Sequence, residues 1–201
     1  MISAILLAAG ASRRMGEQNK LLLPFRNNTL LGQVVTALCD SDAGEVVVVL
    51  GHEAEQVRAT LPDRPFRIVE NPDFAQGMTT SIRAGVRMAS PQSEGFMICL
   101  SDLPFVEPSD YNYLLNAFRK ARVEDDHAIV RPVHQGCPGN PVLFSSEYRQ
   151  LLLAHEKLEG CRGLIKQHPE HVRELEMATD HVLRDIDTPE QYGRQIRSQG
   201  V

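Results

Sequence analysis

The chain has 201 residues, 42% hydrophobic and 23% charged, a balance that excludes a disordered or collagen-like polymer and suffices for one domain with a sizeable core. Its 21 Lys and Arg against 26 Asp and Glu give a formal charge of −5, and no basic run exceeds two residues. A broad electrostatic footprint for nucleic acid or anionic lipid is therefore excluded, and any bound anion must be held locally.

The opening, Ile2 to Leu7, resembles a signal-peptide core only superficially. No basic segment precedes it and Arg13-Arg14 follows it, so it reads as a buried strand. No apolar stretch approaches the roughly 18 residues of a membrane span. Cys39, Cys99, Cys137 and Cys161 are widely spaced and form no C-x-x-C pair, which predicts reduced thiols and a cytoplasmic location.

Further apolar runs of strand length follow at Val46 to Leu50, Arg67 to Val69, Phe96 to Leu100, Ala128 to Val130 and Val142 to Phe144. Several are apolar throughout instead of alternating, as strands covered on both faces are. Segments with helical spacing lie between them. Thr29 can cap a helix carrying Leu30, Leu31, Val34, Val35 and Leu38 on one stripe. Ser81 to Ala89 places Ile82, Val86 and Ala89 together, and Pro108 to Arg122 does the same with Tyr111, Leu114, Leu115 and Phe118. Thr188-Pro189 begins another helix, with Pro at its first position. This alternation predicts a three-layer, Rossmann-like α/β sandwich with a mostly parallel central sheet. No linker or repeat interrupts it, so a single domain over 1–201 is expected, with less regular structure over about 131–163.

In such sheets ligands bind beyond the carboxyl ends of the strands. The loop after the first strand sets small residues, Ala8-Ala9-Gly10-Ala11-Ser12, ahead of the cations Arg13, Arg14 and Lys20. Small side chains let backbone amides approach an anion, and the cations can neutralise phosphate oxygens. The spacing fits neither a P-loop nor the G-x-G-x-x-G fingerprint. Turn glycines beside solvated cations explain the pattern about as well. Asp102 ends the fourth strand, and Asp185-Ile186-Asp187 is a second acidic segment in which the two carboxylates point away from a buried Ile186. Converging carboxylates suit Mg²⁺, although each Asp taken alone reads as a turn or cap residue. The loops Asn71 to Ser81 and Arg131 to Pro141, rich in Gly and Pro, complete the set. His52 and His134 are not needed as bases, and His127, His155 and His181 read as surface or cap residues. His168 and His171 flank Pro169 without an evident third ligand.

Taken in order, Leu7-Ala-Ala-Gly-Ala-Ser-Arg-Arg-Met-Gly16, Lys20-Leu-Leu-Leu-Pro-Phe25, Asn71-Pro-Asp-Phe-Ala-Gln-Gly77, Ser101-Asp-Leu-Pro104, Pro138-Gly-Asn-Pro141 and Asp185-Ile-Asp-Thr-Pro189 resemble the molybdenum cofactor nucleotidyltransferase family. Within it the likeness is to the molybdopterin cytidylyltransferases. The resemblance implies that the first loop, with Leu7, Ala8, Ala9, Gly10 and Ser12, holds a nucleoside triphosphate, with Arg14 and Lys20 at the phosphates. It implies Mg²⁺ on Asp102 and Asp187, Asn71, Gly77 and Ser81 near the nucleoside, and Pro138 to Pro141 shaping the pterin side. Ala8-Ala9 stands where guanylyl-transferring relatives read Ala-Gly-Gly, which points to a pyrimidine base. The implied reaction moves CMP from CTP to the phosphate of molybdopterin and releases pyrophosphate, with a molybdenum oxidoreductase or its chaperone downstream. Departures are Ser101, where the family often has Gly, and Gly160-Cys161-Arg162-Gly163 in place of Gly-Asp-x-Gly-x-Arg. The alternatives are another donor or acceptor, such as GTP or a phosphosugar, and a cofactor carrier without turnover.

Overall fold

A computed structural model describes residues 1–16, 18–154 and 160–198; His155 lies outside them. The first strand, β1 (Ile2–Ala8), is buried along its whole length because it has a strand on each side and helices over both faces. A tight hairpin follows, β2 (Pro24–Phe25) with β3 (Asn28–Thr29), and leads into α1 (Leu30–Cys39). Then come β4 (Glu45–Leu50), α2 (Ala54–Ala59), β5 (Arg67–Glu70), α3 (Met78–Met88), β6 (Gly95–Leu100) and α4 (Pro108–Glu124). The last part holds β7 (Ile129–His134), β8 (Cys137–Pro138), β9 (Val142–Ser145), α5 (Arg149–Ala154), α6 (Arg162–Gln167), β10 (Val172–Glu176) and α7 (Pro189–Ser198).

The main sheet runs β10-β7-β9-β6-β1-β4-β5. The pairs β1–β4, β1–β6, β4–β5 and β7–β10 are parallel, and β9 runs against both β6 and β7. The two faces of β1 feed two apolar layers. Ile2, Ala4, Leu6 and Ala8 pack with the stripes of α1 and α4, whereas Ile5 and Leu7 pack with Ile82 and Val86 of α3, Leu152 of α5 and Leu164 of α6. Each fully buried aliphatic side chain contributes about 1.5–3 kcal/mol of transfer free energy, so the two layers fix the crossovers. α3 approaches closely at Gly85, where a Cβ would lie 2.2 Å from Ile5 Cγ2.

The helix starts read from the sequence have physical partners. Thr29 Oγ1 accepts the Gly32 N–H at 3.0 Å, and Thr188 Oγ1 accepts the Gln191 N–H at 3.3 Å. One expectation needs correction, and one strand was not foreseen. The stretch from 131 is not irregular: β7 continues through Pro132 to His134 and turns through Gln135 and Gly136, both at positive φ (50° and 77°), into β8. Such a two-residue turn matches the twist of a hairpin. Pro132 sits just past the β7–β8 ladder, where only its carbonyl is used, accepting the Gly139 N–H at 2.9 Å, so its missing N–H falls at the end of that pairing. The charged strand β10, Val-Arg-Glu-Leu-Glu, has no apolar run to announce it; it forms by pairing with β7 at the sheet edge.

Candidate active site

The loops after β1, β4, β5 and β6 gather at the carboxyl ends of the strands. β1 ends at Ala8, and the chain passes Gly10, where a Cβ would meet nothing within 4 Å. Smallness there leaves open space instead of answering a packing demand. Ser12 takes the left-handed region (φ 47°), a turn of 3₁₀ helix spans Arg13–Met15, and a second spans Lys20–Leu22. Buried Met15 and Leu21 pin this loop to the core. The result is the wall of a cleft of about 400 Å³, lined on this side by Leu7, Ala9, Gly10, Ser12, Arg14 and Lys20 and opposite by Phe74, Gly77, Met78, Ser81, Asp102 and Asp187.

Lys20 connects the two acidic loops. Its Nζ donates to Asp102 Oδ2 at 2.8 Å and to Asp187 Oδ1 at 2.7 Å. Arg14 Nη2 lies 2.7 Å from the other Asp187 oxygen. The cations differ in freedom: the Lys20 side chain is 12% exposed, whereas that of Arg14 is 72% exposed. The Asp102 carbonyl accepts the Ile186 N–H at 2.9 Å, which ties the acidic segments together through their backbones. Burial alone would raise the Asp187 carboxyl, but the Lys20 hydrogen bond and charge, then Arg14, outweigh it and hold Asp187 below the usual carboxylate range. Asp185 moves upward through burial and the Asp187 charge beside it.

Asp102 Oδ1 is buried and has no hydrogen-bond partner. A lone carboxylate oxygen beside a second carboxylate is a donor set for a hard divalent ion. Among the described residues no three His, Cys, Asp or Glu are grouped to hold a metal, so substrate oxygens and water would complete its shell, as Mg²⁺ prefers.

Not every sequence candidate reaches the cleft wall. Ala8 is 1% exposed and belongs to the core. Asn71 is buried behind the third loop, donating from Nδ2 to Thr80 Oγ1 (2.8 Å) and Ser81 Oγ (3.0 Å); it shapes the loop whose Gly77 and Ser81 line the cleft. Gly77, at φ 113° and ψ 172°, holds a conformation essentially restricted to glycine. Pro138 to Pro141 lie away from the lining. Asn140 N–H donates to Val182 O at 3.1 Å, and a Cβ on Gly139 would sit 2.6 Å from that same oxygen. That loop braces the segment leading to Asp187. Gly160 packs at the cleft rim, where a Cβ would lie 3.1 Å from Met78 Sδ. Burial pushes the Cys161 thiol up to about 12, so it is no thiolate at neutral pH. His134 Nδ1 is 2.9 Å from Met177 O and His181 Nδ1 is 2.8 Å from Asp110 Oδ2. His127, His168 and His171 gather around Tyr148, away from the cleft lining.

Sequence reasoning passed over Asn19, Phe74 and Met78. Asn19 carries a local signal, a side chain that caps the turn starting at Lys20. Phe74 and Met78 carry none: a half-buried Phe before a helix and an exposed Met at a helix start are common in any fold.

The family model of the MobA-like NTP transferase domain matches residues 4–172. The chain belongs to that family. It is a nucleotidyltransferase of the MobA-like group in an α/β fold with a mostly parallel sheet. Two curated relatives align along nearly the whole length: the nicotine blue oxidoreductase of Paenarthrobacter nicotinovorans at 29% identity, covering 96% of this chain and 95% of that one, and the molybdenum cofactor cytidylyltransferase of Escherichia coli K12 at 28%, covering 95% and 93%. Among solved structures, Rv0371c of Mycobacterium tuberculosis H37Rv superposes with a TM-score of 0.83 at 26% identity, covering 98% of this chain and 97% of that one. The same protein has been solved in complex with manganese. No helix among the described residues of this MobA-like chain is long and apolar enough to cross a membrane.

Proposed function

We infer that this protein transfers CMP from CTP to the terminal phosphate of molybdopterin, releasing pyrophosphate, and acts in the cytoplasm. The observation that carries the reading is Lys20 bridging Asp102 and Asp187 at the mouth of a cleft walled by small residues. The acceptor phosphate is already anionic near neutral pH, its second pKa being about 6, so no protein base is required. In-line attack on the α-phosphorus builds charge on the α-oxygens and the leaving pyrophosphate, and preorganised positive charge meets that need. Lys20, held in place by two carboxylates, serves the α- and β-phosphates. Arg14, largely exposed, swings to the outer phosphates. Gly10 and Ser12 present backbone amides to the same tail. Asp102 and Asp187 would hold Mg²⁺, which supplies charge neutralisation across the phosphates.

Support for this donor and acceptor comes from the relative named for cytidylyl transfer and from Ala8-Ala9 in the first loop. Pyrophosphate release measured with each of the four ribonucleoside triphosphates, with Mg²⁺ and molybdopterin, tests it. Release with CTP that depends on molybdopterin is the expected result; release with another nucleotide reassigns the donor, and none at all favours a carrier. The altered segment Gly160 to Gly163 is what favours the carrier as second reading.

A further inference from the structure

Behind the cleft, the loop that carries Lys20 is held from an unexpected quarter. Asn19 is a buried polar residue, 7% exposed. Its Oδ1 accepts the Leu21 N–H at 3.1 Å and the Ser12 hydroxyl at 3.4 Å. The Ser12 hydroxyl oxygen in turn accepts the Lys20 N–H at 3.3 Å. The backbone on both sides of the Lys20 side chain therefore depends on which way the Asn19 amide faces. A carboxamide offers its oxygen to Leu21 and Ser12 only while its NH₂ end has an acceptor of its own. That acceptor is Glu53, whose Oε2 receives Asn19 Nδ2 at 3.0 Å.

Glu53 sits in the turn between β4 and α2, more than thirty residues from the loop it supports. It is in the left-handed region, φ 51° and ψ 38°, at the N-cap of α2, and its side chain makes no capping hydrogen bond. A residue with a side chain holds that conformation only when its surroundings enforce it. An acidic group before a helix ordinarily accepts the first helical amides; this one reaches across to Asn19, with His52 Nε2 at 3.9 Å. The turn is anchored to the end of β1. His52 N–H donates to Ala9 O at 3.2 Å, and a Cβ on Gly51 would stand 2.8 Å from Ala9 Cβ.

We propose that Glu53 is a positioning residue for the triphosphate grip, a strut that sets the Asn19 amide and through it the Ser12 and Lys20 backbone. The proposal rests on reading the cleft as the nucleoside triphosphate site. The test compares the parent with Glu53→Gln, Glu53→Gly, Asn19→Ala and the Glu53→Gly/Asn19→Ala double variant. Amide hydrogen exchange at Lys20 and Leu21 is followed without nucleotide, and KM for Mg·CTP, kcat and thermal midpoint are followed with it. Glycine tolerates the left-handed turn, so Glu53→Gly removes the carboxylate without unfolding the turn. Glu53→Gly and Asn19→Ala should each speed exchange at Lys20 and Leu21 and raise KM about tenfold, the effect of losing a hydrogen bond to a charged group, with a smaller fall in kcat than Lys20→Ala gives, because the ammonium is loosened and not removed. The double variant should be no worse than either single one, and Glu53→Gln, which keeps an acceptor, should restore both readouts. Parent-like exchange and KM in Glu53→Gly, or additive losses in the double variant, overturn the proposal. A parent that does not bind Mg·CTP overturns the functional reading and the claimed effect on affinity; the strut is then judged by exchange alone, and unchanged exchange in Glu53→Gly rejects it.

Discussion

Two carboxylates that accept from one ammonium repel each other once it is removed, so the Lys20 contacts at 2.8 and 2.7 Å are both a binding device and a charge balance. Lys20→Ala should keep a parent-like circular dichroism spectrum yet lose about a hundredfold or more in nucleotidyl transfer, the scale for removing one preorganised donor. A variant as fast as the parent would remove Lys20 from the chemistry. Away from the cleft, Glu45 accepts the Ser3 hydroxyl and the Ser90 N–H, both at 2.6 Å. Burial pushes its carboxyl up, but the Ser3 and Ser90 hydrogen bonds, then Arg67, win, and it sits below the ordinary glutamate value. A lowered folded value stabilises above the unfolded pKa, and that contribution is lost as pH falls through the folded one. Glu45→Gln should thus cost about 1–2 kcal/mol at pH 7, and urea denaturation should find the gap narrowing as pH falls below the unfolded glutamate value of about 4.3, because the unfolded parent then takes up a proton that the lowered folded carboxyl still resists.

At the scale of elements, periodicity was a sound guide wherever one face of a helix meets the sheet. The stripes on α1, α3 and α4 are local patterns, and the apolar layers use the same residues. What such patterns omit is distance. Gly85 shows no hydropathy signal, yet α3 rests on β1 there with no room for a methyl group. Gly85→Ala should destabilise by about 1–3 kcal/mol through overpacking, visible as a lower thermal midpoint, despite alanine's better helix propensity. An unchanged or higher midpoint would mean that α3 can shift off Ile5 at no cost. Strand β10 marks the opposite failure: its charges describe an edge, and only its pairing with β7 makes it a strand.

Across the whole molecule, Asp187 is set by contacts from three distant regions. His181 is bound to Asp110 in the first turn of α4, Asn140 to Val182, and Asp102 to Ile186. His181→Ala should cost about 1–3 kcal/mol, because it leaves the half-buried Asp110 carboxylate without that partner, and it should raise the Mg²⁺ concentration needed for transfer as Asp187 loosens. Unchanged metal dependence would show that Asp102 alone sets the ion requirement. The sequence by itself determined the alternation of strands and helices, the small-then-basic first loop and the acidic strand ends, because each is written in neighbouring residues and in side-chain periodicity. Only the tertiary structure decided that Lys20 meets carboxylates 82 and 167 positions away, that Asn71 and Ala8 lie behind the cleft wall, and that a glutamate after β4 steadies the first loop. Those facts depend on crossover order and strand register, which bring distant segments together through the packing of two apolar layers, and no local pattern records them.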